Sequence, residues 1–186
     1  AFVNYAKEVG ITLTDKTVKK EEFFKSINHF NKELIDKTSN RYFFIRKIKK
    51  IKIKNSPNIE VKLPLHPDDL NRGFRKLKVS GEFYVEDKLE KNKNYRLMHL
   101  FNFKNLEFVS QDPDQSLNAK LIHWLPVSTD SIKTKVLMEN GKYISGLSES
   151  ETKKLKVGDI IQFERFGFCR LDKKTKTGLE FWWLHK

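Results

Sequence analysis

The run Arg46-Lys47-Ile48-Lys49-Lys50-Ile51-Lys52-Ile53-Lys54 alternates isoleucine with lysine through its second half. In an extended chain successive side chains point to opposite faces, so Ile51 and Ile53 share one side and Lys50, Lys52 and Lys54 the other. That is the pattern of a strand with one buried face. The rhythm of period two starts near Tyr42 and does not stop at Lys54. Further short runs at 59–63, 78–85, 95–101, 106–110, 119–125, 132–138, 160–166, 168–172 and 179–184 read as strands. Turn formers separate them, among them Asn55-Ser56-Pro57-Asn58, Asp112-Pro113-Asp114 and Asn140-Gly141. Many short strands with no helical stretches between them predict an antiparallel sandwich or barrel architecture.

Upstream of this region the periodicity is helical. Phe2, Val3, Ala6 and Val9 recur at helical spacing and are followed by Gly10, a residue suited to a left-handed helix end. Thr14-Asp15 offers capping oxygens before a second helix, in which Phe23, Ile27, Phe30 and Leu34 form one stripe. The expected division is therefore a helical segment over 1–38 and a β region over 39–186.

Composition narrows the function classes. The 37 Lys+Arg against 24 Asp+Glu leave a net charge of +13, which suits a polyanionic partner such as a phosphate backbone. A lysine-rich solvated surface would give the same total. The single Cys169 has no partner for an internal disulfide, which favours a reducing, cytoplasmic setting. Its neighbours Phe166, Gly167 and Phe168 mark it as a packed thiol rather than a nucleophile. No apolar stretch approaches the roughly 20 residues of a membrane-spanning helix. The chain opens on Ala1-Phe2-Val3 without an initiator Met, as a piece of something longer would.

Three motifs bear on chemistry. The basic run places six cations in nine residues, with no acid between Asp36 and Glu60. Lysines on one strand face can track a phosphate backbone; they can equally protect a sheet edge from pairing. Leu65-His66-Pro67-Asp68-Asp69 sets a histidine beside carboxylates, but no second His or Cys lies at ligand spacing, so it reads as a capped turn and no metal site is expected. Gln162-Phe163-Glu164-Arg165 alternates within an expected strand, which puts Gln162 with Glu164 and Arg165 with Phe163. A twist or bulge could still bring Gln162 and Arg165 to one ligand. Glutamine offers a donor and an acceptor and arginine a planar fork, the chemistry that reads a base edge. His123, beside Trp124 in an apolar run, reads as a packed histidine. No P-loop, dinucleotide fingerprint, zinc spacing or nucleophile elbow is present, so no independent catalysis is expected.

The order of the motifs adds a resemblance. Asn40-Arg41-Tyr42-Phe43-Phe44, the basic strand, His66-Pro67-Asp68 with Gly73-Phe74-Arg75, Ser80-Gly81-Glu82-Phe83-Tyr84, Tyr95-Arg96-Leu97-Met98, Ile122-His123-Trp124 and Gln162-Phe163-Glu164-Arg165-Phe166-Gly167-Phe168-Cys169 follow one another. This series resembles the C-terminal region of class I glutamyl-tRNA synthetases of the archaeal and eukaryotic type. The resemblance implies two antiparallel β-barrels preceded by a short helical segment, the barrels gripping a tRNA anticodon loop. It implies that Arg41, Gln162 and Arg165 form the pocket for the middle anticodon base and that Lys88 helps read the third. Lys47, Lys50, Lys52, Lys54 and Arg75 are then expected on the tRNA backbone. Asp36 and Asp68 fall where glutaminyl relatives carry asparagines near the anticodon stem, and Leu13 where they carry a lysine near the first base.

The family's HIGH and KMSKS signatures, which bind ATP, are absent. The chain is expected to hold no cofactor itself, with ATP and Mg belonging to a catalytic half that is covalently continuous or a split subunit. The implied partner is tRNA(Glu), with tRNA(Gln) as a second candidate and no membrane. The rival readings are the same region of a glutaminyl-tRNA synthetase, a stand-alone β-barrel RNA-binding protein and a protein-interaction scaffold.

Overall fold

The computed structural model describes residues 1–10, 15–127 and 130–186. Two helices, α1 (Phe2–Val9) and α2 (Lys20–Asp36), precede the strands. Phe23 receives Tyr5 edge-on at 5.0 Å between ring centroids and Phe2 at 6.4 Å, which joins the two helices. Neither helix buries a residue, and Leu34 at the end of the expected stripe stays exposed. Gly10 ends α1 with φ 77°, the positive value its position called for. The second helix starts later than Thr14-Asp15 suggested, with Lys19 as its N-cap. Thr14 and Leu13 lie outside the described residues.

The strands are β1 (Asn40–Tyr42), β2 (Phe44–Ile45), β3 (Lys49–Lys52), β4 (Ile59–Pro64), β5 (Phe74–Val79), β6 (Glu82–Val85), β7 (Asn94–Leu97) and β8 (Asn102–Lys104). They continue with β9 (Glu107–Ser110), β10 (Lys120–Ile122), β11 (Trp124–Pro126), β12 (Ile132–Leu137), β13 (Tyr143–Ser148), β14 (Ile160–Phe163), β15 (Gly167–Lys174) and β16 (Leu179–His185). The chain enters one β unit with β1 and β2, builds the whole of another from β3 to β11, and returns to finish the one it left.

The unit completed last is a seven-stranded, nearly closed barrel-like sheet in the order β1-β14-β15-β16-β12-β13-β2. It is mixed: β1 with β14 and β12 with β16 run parallel, while the other pairs are antiparallel. Its two terminal strands, β1 and β2, are the same stretch of chain bent at Phe43, so the barrel is closed covalently where a sheet edge would otherwise remain. The inserted unit surrounds its core with three smaller sheets, β10-β7-β8-β9, β11-β6-β3 and β4-β5.

The stretch Tyr42-Phe43-Phe44-Ile45 explains how two cores share one strand. Alternation sends Tyr42 and Phe44 into the core of the closed barrel and Phe43 and Ile45 into the core of the inserted unit. A segment buried on both faces has no polar phase, hence four apolar residues in a row.

Several strand expectations shift. The run 78–85 is not one strand but a corner between β5 and β6, turned at Gly81 with φ 81°. The run 95–101 ends at Leu97, where the chain turns through His99 at φ 60°. The run 119–125 is broken at His123 into β10 and β11, and 160–166 stops at Phe163. Strand β13 lies outside the expected runs, because Ile144-Ser145-Gly146-Leu147 lacks the strand-forming aromatic and β-branched density of its neighbours. Its Gly146 instead permits close approach to β2: a Cβ there would collide with the Ile45 carbonyl and lie 2.8 Å from the Phe44 ring.

Candidate nucleic-acid interface

Two of the expected pocket residues, Arg41 and Gln162, meet where β1 closes onto β14. They are direct partners in that parallel pairing. Arg165 follows in the turn between β14 and β15, where the Phe166 amide donates to the Phe163 carbonyl at 2.9 Å. Its φ of 59° is left-handed, uncommon for a residue with a side chain. Arg165 therefore does not share a strand face with Phe163, as simple alternation implied. It leaves the sheet, stays exposed, and donates from Nη1 to the Leu121 carbonyl of β10 at 2.8 Å. The turn carries an arginine across the seam from one β unit to the other.

Arg41 is held at several atoms. Its amide donates to the Leu65 carbonyl at 2.7 Å, and its Nη2 lies 3.4 Å from Asp36 at the end of α2. Its Nε is buried without a partner among the described residues. Gln162 is half-buried, and among the described residues its side chain makes no hydrogen bond.

The expectation that Arg75 contacts the RNA backbone does not hold: the residue is 1% exposed. The strand β5 reads Phe74-Arg75-Lys76-Leu77-Lys78-Val79, and Arg75 is in phase with the buried Leu77 and Val79, not with the exposed Lys76 and Lys78. That phase was visible in the sequence. Its guanidinium lies over the Phe43 ring at 4.7 Å, 3.1 Å from Glu149, and also donates to the Glu164 carboxylate and the Arg41 carbonyl. A cation so occupied has no surface from which to meet a phosphate.

The carboxylates around Arg75 differ. Glu149 is fully enclosed, and its Oε1 accepts the Phe43 amide at 2.5 Å, at the bend between β1 and β2. Burial pushes its carboxyl up to about 7, against the opposing pull of Arg75 and that N–H. Burial also works against ionisation of Glu164, but the hydrogen bond from His99 and the charge of Arg75 outweigh it and hold the group below the ordinary range. Nothing in the sequence singled out Glu149; it comes to Arg75 from far along the chain.

His123 sits at the break between β10 and β11 with its ring 5.4 Å from that of Phe43. Burial and the nearby Arg165 charge lower its pKa to about 4, so it is neutral at physiological pH. The packed reading of this residue fits. Cys169 is fully buried, and burial pushes its thiol far up.

His66 is buried in the long β4–β5 hairpin loop. Its Nε2 pairs with the Asp36 carbonyl at 2.9 Å and its Nδ1 accepts the Asp68 amide at 3.2 Å, a capping role. Arg72, which sequence reasoning missed, completes the joint. It donates to the carbonyls of Lys37 at 2.6 Å and Thr38 at 2.7 Å and is braced by Asp69 at 3.1 Å. A cation on the free carbonyls of a helix C-terminus satisfies orphan acceptors and complements the dipole.

The basic strand presents the expected faces: Ile53 is buried, while Lys47, Lys50, Lys52 and Lys54 are exposed. Lys50 is already paired with Glu82 at 2.9 Å. Lys88 is not gathered with Arg41, Gln162 and Arg165. It lines a separate cleft of about 710 Å³ in the inserted unit, with Lys49, Lys50, Lys91, Ile51 and Tyr95 among its walls. The ammonium groups at its rim share it with the carboxylates of Asp87 and Glu90.

Residues 39–124 of the chain match the family described as tRNA synthetases class I (E and Q), anti-codon binding domain. The chain is similar over its whole length to glutamate--tRNA ligases of archaea. That of Methanocaldococcus jannaschii is 40% identical over all of this chain and 35% of the relative. That of Methanococcus maripaludis strain C6 is 38% identical over 96% of this chain and 33% of the relative. That of Methanosarcina barkeri is 32% identical over all of this chain and 34% of the relative. The chain spans about a third of the length of these relatives. No helix among the described residues is long and apolar enough to cross a membrane.

Proposed function

We propose that this chain reads the anticodon of tRNA(Glu) as part of a glutamate–tRNA ligase acting in the cytoplasm. The observation that carries the proposal is the register of Arg41 with Gln162 across the closing seam of the barrel, with Arg165 projecting from the adjoining turn. A guanidinium and a primary amide stand at paired positions there, and the next turn carries a second guanidinium. Between them they can donate to both carbonyl oxygens of a uracil and accept its ring N–H.

The middle base is a uridine in both glutamate and glutamine anticodons, so this pocket serves tRNA(Glu) and leaves tRNA(Gln) to be distinguished elsewhere. Lys88 and its cleft are the candidate for the third base. Lys47, Lys52 and Lys54, with the partly neutralised Lys50, supply the phosphate contacts that set orientation without reading sequence. Docking of this kind does no chemistry itself. It orients the acceptor end toward a catalytic half that holds ATP and Mg, joined covalently or as a separate subunit, and lowers the entropic cost of aminoacylation. The names of the relatives favour the glutamyl over the glutaminyl reading.

The test is a binding titration of this chain against transcripts that differ only at the three anticodon positions. Preference for a middle uridine, abolished on substitution to cytidine, supports the reading. Equal affinity for all variants would reduce the interaction to general RNA affinity.

A further inference from the structure

We infer that Arg75 is a positioning residue for middle-base reading: it touches no RNA, but its buried guanidinium sets the spacing between Arg41 and Arg165. The inference rests on the pocket assignment above and adds to it a residue that the pocket's own lining does not show.

Arg75 belongs to β5 of the inserted unit, yet its polar partners lie elsewhere. They are the Arg41 carbonyl on β1, the Glu164 carboxylate immediately before Arg165, and Glu149, 3.1 Å away, which in turn accepts the Phe43 amide at 2.5 Å. Phe43 itself forms the floor, 4.7 Å beneath the guanidinium. Every anchor is therefore the backbone of a pocket residue, the next neighbour of one, or a group that holds the bend closing the barrel. The Glu164 amide is also bound to the Tyr42 carbonyl at 3.0 Å, so the 163–166 turn is fastened to β1 from two directions.

Energetics points the same way. A guanidinium taken out of water with two carboxylates gains little net stability, and apolar residues of similar size often do as well or better. What the ion pair offers is direction, since a planar fork can meet a carbonyl on one side and carboxylates on the other only in one arrangement. A lysine retains the charge and cannot reproduce the fork. The left-handed backbone at Arg165 needs such a restraint, because an unsupported turn has no reason to keep that conformation.

The experiment uses this chain with Arg75→Lys and, separately, Glu164→Gln, which removes charge while keeping shape. Each is titrated with transcripts carrying uridine or cytidine at the middle position, and the salt dependence and thermal midpoint are measured alongside. Arg165→Ala serves as the comparison. The expected result is that both variants lose about tenfold or more of the uridine preference, as misplaced contacts do. Affinity for the cytidine transcript and the salt slope stay as in the parent chain. A folded Glu164→Gln that keeps the full preference overturns the inference even if Arg75→Lys fails to fold, and leaves the pocket reading intact provided Arg165→Ala abolishes preference. A parent chain without preference overturns both.

Discussion

At the scale of single residues, the side chains around the seam separate into those that can meet a ligand and those that hold them. Arg165 is exposed, and its Nη1 is engaged by the Leu121 carbonyl. Its replacement by alanine is expected to cost roughly 1–3 kcal/mol against a transcript with a middle uridine, measured by titration, and much less against one with cytidine. Two buried groups give opposite pH dependences. His123, lowered to about 4 from its ordinary 6.5, contributes stability that is present above pH 6.5 and disappears as pH falls through 4. That change approaches about 3 kcal/mol at 1.36 kcal/mol per unit, and His123→Phe should remove it from an acid denaturation series. Glu149, raised to about 7 from 4.5, contributes stability fully present below pH 4.5 and lost as pH rises through 7. Glu149→Gln should flatten that limb while keeping the acceptor for the Phe43 amide. Arg75 was the residue most open to misreading. Its motif suggested a surface role, while the phase of Leu77 and Val79 in the same strand already placed it inside.

At the scale of elements, the strands were legible where one face alternates with the other, as in Lys50 to Lys54 and in β12. They were illegible where the chain bends after three or four residues, as at His99, His123 and Glu164, because turn geometry at a residue other than glycine leaves little mark on composition. Arg165 leaves the sheet through such a turn, whereas alternation alone set it on the face of Phe163. Pairing is likewise non-local. Nothing near Arg41 indicates that β14 lies beside it, and only the order of motifs suggested that both serve one pocket. The seam between β13 and β2 yields a sharper expectation. Gly146→Ala should destabilise the barrel by roughly 1–3 kcal/mol in chemical denaturation, as overpacking does, since the added methyl must displace the Ile45 backbone. An unchanged midpoint would mean that the seam is looser than its packing indicates. Arg72→Ala should release the end of α2 from the β4–β5 loop, seen as faster hydrogen exchange in 30–38 with the barrel unaffected.

At the scale of the whole molecule, one polypeptide stretch closes a barrel, floors the core of its neighbour and carries Arg41. The two β units are thereby joined around the place proposed for base reading, and the chain as a whole carries a net charge of +13. Charge and selectivity should separate experimentally. Removing Lys47, Lys52 and Lys54 together is expected to lower the salt slope by about 0.7–0.9 for each phosphate no longer neutralised, while leaving the middle-base preference in place. Lys50 should matter less, since Glu82 already neutralises it. The central claim, that the seam itself meets the middle base, is tested most directly by a double-mutant cycle between Arg165→Ala and a uridine-to-cytidine change at that position, read as binding free energies. The predicted result is strong non-additivity, the second change costing little once the first is made. Additive effects would show that Arg165 and the middle base do not interact.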